Sequence, residues 1–142
     1  MEITFSLPQV FYVGSDRRLN AETLEILLNN LVDINLAWLR AMKRRKITVP
    51  RLYSSGVVYA RTEWWESTPA LYKRGWGDCK SLSCSLVAEM IFLDGIEARP
   101  VFRFNPRPGS TDYHILVQTR EGYTDPSKKL GMGKDEHAWF RL

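Results

Sequence analysis

Residues 75–82 read Gly-Trp-Gly-Asp-Cys-Lys-Ser-Leu, and the pattern behind them predicts the central helix of the fold. Apolar residues then recur three or four positions apart, which is typical of one buried face of an α-helix. These residues are Leu82, Leu86, Val87, Met90, Ile91 and Leu93. Gly95 is a suitable helix stop, because glycine adopts the left-handed conformation that ends many helices. Cys79 is therefore expected in the first turn of a buried helix.

A thiol in this position has the surroundings of a reactive cysteine. The positive end of the helix dipole and the free backbone N–H groups favour the thiolate. Downstream, His114 opens an apolar run and Asp125 precedes a proline. Cysteine, histidine and aspartate are the residue types of a nucleophile, a base and a group that orients the base.

Each of these residues also has a structural interpretation when it is taken alone. Cys79 reads as a small buried hydrophobe, His114 as a strand histidine and Asp125 as a turn-forming residue. Only the combination predicts a catalytic site. Asp78 is interpreted as the cap of the Cys79 helix, since aspartate is a favoured N-cap residue. Cys84 is interpreted as structural.

Three short motifs in this order resemble the core of the transglutaminase-like superfamily, a branch of the papain-like cysteine enzymes. The motifs are Gly77-Asp78-Cys79 at a helix start, Tyr113-His114 at a strand start and Asp125-Pro126-Ser127 at the end of the next strand. The similarity covers roughly residues 56–132 and is strongest to small members of the kind carried by bacteria and tailed phages. It implies Cys79 as the nucleophile, His114 as the general base and Asp125 as the orienting carboxylate. Small bacterial members often have acidic residues after the cysteine, where this chain has Lys80 and Ser81.

The resemblance implies cysteine-dependent acyl transfer on amide bonds through a Cys-His-Asp triad. Peptidase or amidase hydrolysis is favoured, and transfer to an amine acceptor remains open. It implies no cofactor, because the calcium of the large animal enzymes is bound in segments for which this chain has no room. The expected partner is a protein or peptide substrate.

The alternative is a phage virion or assembly protein that uses the same fold for protein interaction, with little or no catalysis. Other virion or assembly proteins are then the expected partners. The expected location is the cytoplasm of a bacterial host or the virion.

Aromatic residues crowd the approach to Cys79. Trp64, Trp65 and Trp76 follow Tyr59 within a short stretch. They either pack as core beneath the loop, or line a substrate groove and donate to a developing oxyanion. The amide of Cys79 is the natural first donor. The second donor is left open among Trp64, Trp65 and Tyr59.

Composition excludes several other classes of function. The chain has 142 residues, enough for one core and too few for two. Its net charge of +4 is mild, so nucleic acid is not an expected partner, although the basic residues 43–46 keep that option open. No run of 18 apolar residues predicts a membrane span, and the N-terminus does not resemble a signal peptide. The two cysteines are expected as free thiols, and no metal site is expected.

The chain is expected to form a single α+β domain over residues 1–142. Its predicted segments are an N-terminal arm (1–20), a long helix (21–46), a catalytic core (56–132) and a tail (133–142). Asn20 is the predicted cap of the long helix. Ile34 is predicted to lie on its buried stripe. His137, in the tail, is a weaker candidate for the base.

Within the core, the Cys79 helix is expected to pack on an antiparallel sheet. The predicted strands are 99–104, 113–119 and 123–125, with a loop at 105–110 and a hairpin turn at 121–122. This layout places His114 and Asp125 on neighbouring strands. Asp125 then accepts from one imidazole nitrogen while the other faces Cys79.

Overall fold

The computed structural model describes residues 17–107 and 110–133, in which helices pack on a small antiparallel sheet in an α+β arrangement. The predicted arm up to residue 16 and the predicted tail from residue 134, with His137, lie outside the described residues. Within the described ranges, no helix has both the length and the apolar character needed to cross a membrane.

The long helix, α1, runs from Arg17 to Arg44. Its buried side chains follow a helical stripe, because they recur three or four residues apart. They are Leu24, Leu28, Leu31, Val32, Asn35, Leu36 and Leu39. The predicted boundaries are wrong at both ends, and Asn20 lies inside the helix. Ile34, predicted to be buried, is 55% exposed, because the stripe runs through the neighbouring Asn35 instead.

A short parallel ladder fixes the approach to the cysteine. Strand β1, Val58–Tyr59, pairs with β2, Trp76–Gly77, so that Tyr59 lies opposite Gly77. Between them, helix α2 spans Thr68–Arg74. Gly77 has no room for a side chain, since a Cβ there would lie 2.5 Å from Leu71 Cδ1. The close packing of Leu71 therefore requires glycine two residues before Cys79.

The central helix, α3, runs from Cys79 to Asp94 and is buried on all sides from Ser81 to Glu89. The Asp78 side chain caps its start by accepting from the Lys80 amide, and Gly95, with φ of 64°, ends it as predicted. The helix packs against α1 on one side and the sheet on the other. Its buried position holds Cys79 at a fixed point of the core.

The sheet consists of β3 (Ala98–Arg107), β4 (Ser110–Thr119) and β5 (Gly122–Thr124), antiparallel in that order. β3 and β4 extend further than predicted, so most of the predicted loop at 105–110 is strand. Ile115 and Val117 are buried in the same core cluster as the apolar residues of α3. Because side chains alternate along a strand, His114 lies on the opposite face of the sheet.

The chain after β5 differs from the prediction. β5 ends at Thr124, and Asp125 caps a short helix, α4, that spans Pro126–Lys129. Asp125 Oδ1 accepts from the Lys128 amide at 3.2 Å. The Leu130 carbonyl accepts from the Tyr59 amide at 2.9 Å, which ties this segment to β1.

Candidate active site

Cys79 occupies the first position of α3 and is half-buried. Burial raises the pKa of its thiol to about 11, and the negative charge of Asp78 acts in the same direction. The backbone amides of Ile115 and Lys80 and the charge of Lys80 lower that pKa, but they do not outweigh burial. The sequence predicts a favoured thiolate from the helix start alone, and it does not reveal the burial that raises the pKa of the thiol.

Asp78 and Lys80 form an ion pair on either side of Cys79 in the sequence. Lys80 Nζ also donates to the Thr62 carbonyl at 2.9 Å. Burial raises the pKa of Asp78, while Lys80 and the amides of Lys80 and Ser81 lower it. This agrees with the prediction that Asp78 is a helix cap. The Asp78 carboxylate accepts from the amides of Lys80 and Ser81. As far as the described residues show, the Cys79 amide is therefore the donor of the first turn that has no partner.

The two residues after the cysteine have structural roles. Besides the contacts of Lys80, Ser81 Oγ accepts from the Glu66 amide at 3.1 Å and is fully buried. The contacts of Ser81 explain why a hydroxyl stands there, because the Glu66 amide would otherwise be buried without an acceptor. Sequence reasoning noted Lys80 as a departure from the family but missed its pairing with Asp78. A lysine two residues after a capping aspartate was the available signal.

His114 and Asp125 lie side by side, as predicted from the hairpin. His114 Nε2 is 2.8 Å from Asp125 Oδ2, with side chains that are 27% and 17% exposed. The strand register brings them together: Val117 pairs with Thr124, which places Asp125 beside Leu116, on the same face as His114. Because the carboxylate accepts from Nε2, the Nδ1 atom of His114 remains for another partner.

Cys79 reaches this pair through the backbone of β4. The Ile115 amide stabilises a thiolate at Cys79, and Ser83 Oγ, one helical turn further on, donates to the Ile115 carbonyl at 3.1 Å. The first turns of α3 are therefore fixed beside the residue that follows His114. Among the described residues, no hydrogen bond joins Cys79 Sγ to the imidazole. Sequence reasoning did not predict the role of Ile115, since a backbone amide leaves no trace in residue type.

Tyr59 lies near Cys79 and Asp125. It is paired with Gly77, and its ring packs against the core cluster. Burial raises the pKa of Tyr59 to about 12, with smaller contributions in the same direction from the charges of Cys79, Asp78 and Asp125. The Tyr59 phenol is therefore close enough to the Cys79 thiol and to the Asp125 carboxylate for their charges to affect its pKa. Of the predicted oxyanion donors, Tyr59 is the one that the structure brings to the site.

The tryptophans pack against cations near the entry to α3. Arg74 Cζ lies 3.7 Å from the centre of the Trp64 ring and 4.9 Å from that of Trp76. Lys80 Nζ lies 5.8 Å from the centre of the Trp65 ring, which also packs on the core. Cation–π contacts of this kind hold a loop in place. These contacts account for the three indoles, and the contacts of the described residues include none between an indole and the thiol.

The second cysteine is apart from this chemistry. Cys84 is fully buried and its thiol donates to the Leu28 carbonyl at 3.4 Å. Burial raises its pKa, so it remains an inert thiol. The described part of the chain contains no group of three or more His, Cys, Asp or Glu side chains that could hold a metal ion.

The site thus combines a helix-start thiol, a histidine–carboxylate pair and a phenol within one end of the sheet. These are the side-chain types of a nucleophile, its base and an oxyanion donor, although no hydrogen bond joins the thiol to the imidazole among the described residues. No protein-family model, no curated protein and no solved structure matches this chain.

Proposed function

We propose that this chain is a cysteine-dependent acyl-transfer enzyme that acts on amide bonds, as a peptidase or amidase of transglutaminase-like type. The observation that carries the proposal is the 2.8 Å contact between His114 Nε2 and Asp125 Oδ2, one residue away from the Ile115 amide that faces Cys79. The carboxylate holds the imidazole with Nδ1 available as a base. Among the described residues no hydrogen bond joins the thiol to the imidazole, and the proposal therefore requires the two groups to meet when substrate binds, as hydrogen bonds at catalytic sites often form or tighten only then.

The reaction begins with proton transfer from Cys79 Sγ to His114 Nδ1. Asp125 stabilises the resulting imidazolium through Nε2–H, and the Ile115 and Lys80 amides stabilise the thiolate. The sulfur attacks the amide carbon, which forms a C–S bond and moves negative charge onto the carbonyl oxygen. The backbone N–H of Cys79 and the hydroxyl of Tyr59 are the proposed donors to that oxygen.

Collapse of this intermediate breaks the C–N bond, and Nδ1–H gives its proton to the leaving amine. The product is a thioester on Cys79. Water then attacks the thioester while Nδ1 takes a proton from it, and the acid product leaves as Sγ regains its proton. An amine acceptor in place of water gives transamidation through the same steps.

Alkylation kinetics test this proposal directly. Iodoacetamide modification of Cys79 is followed against pH in a Cys84→Ala background, with and without His114→Ala. We expect the apparent pKa of Cys79 to be lower with His114 present than with His114→Ala, because an imidazolium formed beside the thiolate would stabilise its charge. A thiol whose apparent pKa is the same in both variants would rule out the ion pair and with it the catalytic role.

The second candidate function is that of a phage virion or assembly protein. The absence of a hydrogen bond between the Cys79 thiol and the imidazole among the described residues favours it, as does the burial that raises the pKa of this thiol. In that case the hydrogen bond between His114 and Asp125 serves to stabilise the hairpin of β4 and β5. The protein would then show no turnover of amide substrates even where Cys79 can be alkylated, and would co-purify with structural proteins.

A further inference from the structure

The outer face of the sheet carries two arginines beside the candidate site. Arg103 pairs directly with His114, and Arg99 pairs with Gln118. Because alternate residues of a strand share a face, both arginines lie on the face that carries His114. Here a shallow groove of about 550 Å³ runs across the three strands. It is lined by Arg99, Val101, Phe102, Arg103, Gln118 and Tyr123.

Both guanidinium groups are held by neutral partners. Arg99 Nε donates to Gln118 Oε1 at 2.7 Å, and Arg103 Cζ lies 4.4 Å from the centre of the Tyr123 ring. Among the side chains that the structure describes, which do not include those of residues 104–113, no carboxylate lies within ion-pair distance of either group. Other arginines of the chain do form ion pairs with carboxylates: Arg51 with Asp94, Arg74 with Glu66 and Arg120 with Glu97. The groove therefore has two oriented positive charges with no counter-ion among the described side chains.

We propose that this groove binds the carboxylates of an acidic peptide, and that this peptide is the substrate presented to Cys79; the second part rests on the function proposed above. Guanidinium groups match carboxylates in shape and charge, and partners that already hold the side chains reduce the entropy lost on binding. Arg99 and Arg103 are roughly 13 Å apart along the strand, at about 3.3 Å per residue. Two acidic residues at positions i and i+4 of an extended peptide have the same spacing. The Arg103 end then places a carboxylate next to the reacting amide.

A peptide fits this surface better than a nucleic acid. A phosphate backbone needs a longer continuous row of cations. Here the two arginines are followed, at the Arg99 end, by the acidic residues Glu97 and Glu121, which line a neighbouring groove of about 470 Å³ at the end of the hairpin. Val101 and the half-exposed ring of Tyr123 add apolar contacts that suit side chains of a peptide.

Fluorescence anisotropy tests the binding without any chemistry. The full chain with Cys79→Ala is titrated against a labelled extended peptide with glutamate at positions i and i+4, and against its glutamine counterpart. We expect tighter binding of the acidic peptide and a loss of roughly two- to fivefold for each of Arg99→Gln and Arg103→Gln, the range of an exposed ion pair. Arg120→Gln, on the same hairpin but paired with Glu97, is the matched control and should leave the affinity unchanged.

Equal affinity for the two peptides, or no effect of either arginine variant, would overturn the proposal. Tighter binding of a single-stranded oligonucleotide of equal charge would assign the groove to nucleic acid instead. Protection of Cys79 from iodoacetamide by the acidic peptide, measured on the wild-type chain, tests whether the groove leads to the thiol. Binding without protection would contradict the substrate role. Protection in a chain whose Cys79 titrates independently of His114 would uphold the groove and reject only the chemistry.

Discussion

Asp125 holds His114 with one carboxylate oxygen and caps a helix with the other. Its Oδ2 lies 2.8 Å from His114 Nε2, and its Oδ1 accepts from the Lys128 amide at 3.2 Å. The capped helix starts with Pro126, which cannot donate a hydrogen bond and suits a first helical position. The cap fixes the carboxylate, so the orientation of the imidazole depends on the turn that ends β5.

The variant Asp125→Asn separates these two roles, because an amide has one acceptor oxygen where the carboxylate has two. We expect alkylation of Cys79 at neutral pH to slow by about tenfold or more, since the imidazolium loses its counter-charge. Stopped-flow alkylation against pH measures this change. Asp94→Asn is the matched control, because Asp94 pairs with Arg51 at the far end of α3. Unchanged alkylation in Asp125→Asn would mean that the carboxylate does not act on the thiol through His114.

Neighbouring charges of opposite sign should shift the ionisation of Cys79 in opposite directions. The charge of Asp78 raises the pKa of the thiol and that of Lys80 lowers it. Asp78→Asn keeps a capping oxygen and removes the charge, so its alkylation profile should move to lower pH. Lys80→Gln should move the profile to higher pH. Shifts in the same direction in both variants would show that structural loosening, and not charge, controls the thiol.

Removal of the Tyr59 hydroxyl tests its proposed place in the oxyanion site. Tyr59→Phe keeps the ring that packs on the core, so the melting temperature should stay close to that of the wild type. Loss of one oxyanion donor typically slows turnover by about 100- to 1000-fold. Acylation of Cys79 by an activated ester measures the effect. Tyr72→Phe is the control, since that hydroxyl donates to the Pro50 carbonyl. Equal acylation rates in Tyr59→Phe and wild type would remove Tyr59 from the site.

The sequence predicts best what local chemistry determines. The start of α3 at Cys79, its cap at Asp78 and its end at Gly95 follow from residue types within one turn of each boundary. The neighbouring positions of His114 and Asp125 follow from a short hairpin, whose geometry is also local.

Features set by tertiary packing were not predictable in this way. The ionisation of Cys79 depends on its burial and on the nearby charge of the Asp78 carboxylate, and neither can be read from spacing. Ile34 has the hydropathy of a core residue, yet Asn35 takes the buried position because it meets a partner from α2. A buried polar residue inside an apolar stripe is recognisable only when its partner is known.

The close approach of Gly77 and Leu71 can be tested by a double-mutant cycle. Gly77→Ala adds a Cβ that would lie 2.5 Å from Leu71 Cδ1, so we expect it to destabilise the fold by about 1–3 kcal/mol. Leu71→Val removes the δ carbons that cause the clash. The double variant should therefore be less destabilised than the sum of the two single variants, as measured by urea unfolding. Additive effects would show that the glycine serves another purpose.

Asn35 shows what a buried polar side chain contributes in the middle of α1. It is fully buried, and its Oδ1 accepts from the Thr68 amide at 2.7 Å. Asn35→Leu keeps the helix and the branched shape of the side chain but leaves that amide buried without an acceptor, so the free energy of unfolding should fall by about 1–3 kcal/mol. Ile34→Asn, one residue earlier on the exposed face, should change it by no more than about 0.5 kcal/mol. Urea unfolding of both variants decides the matter, because a stabilised Asn35→Leu would show that the apolar stripe outweighs the hydrogen bond between α1 and α2.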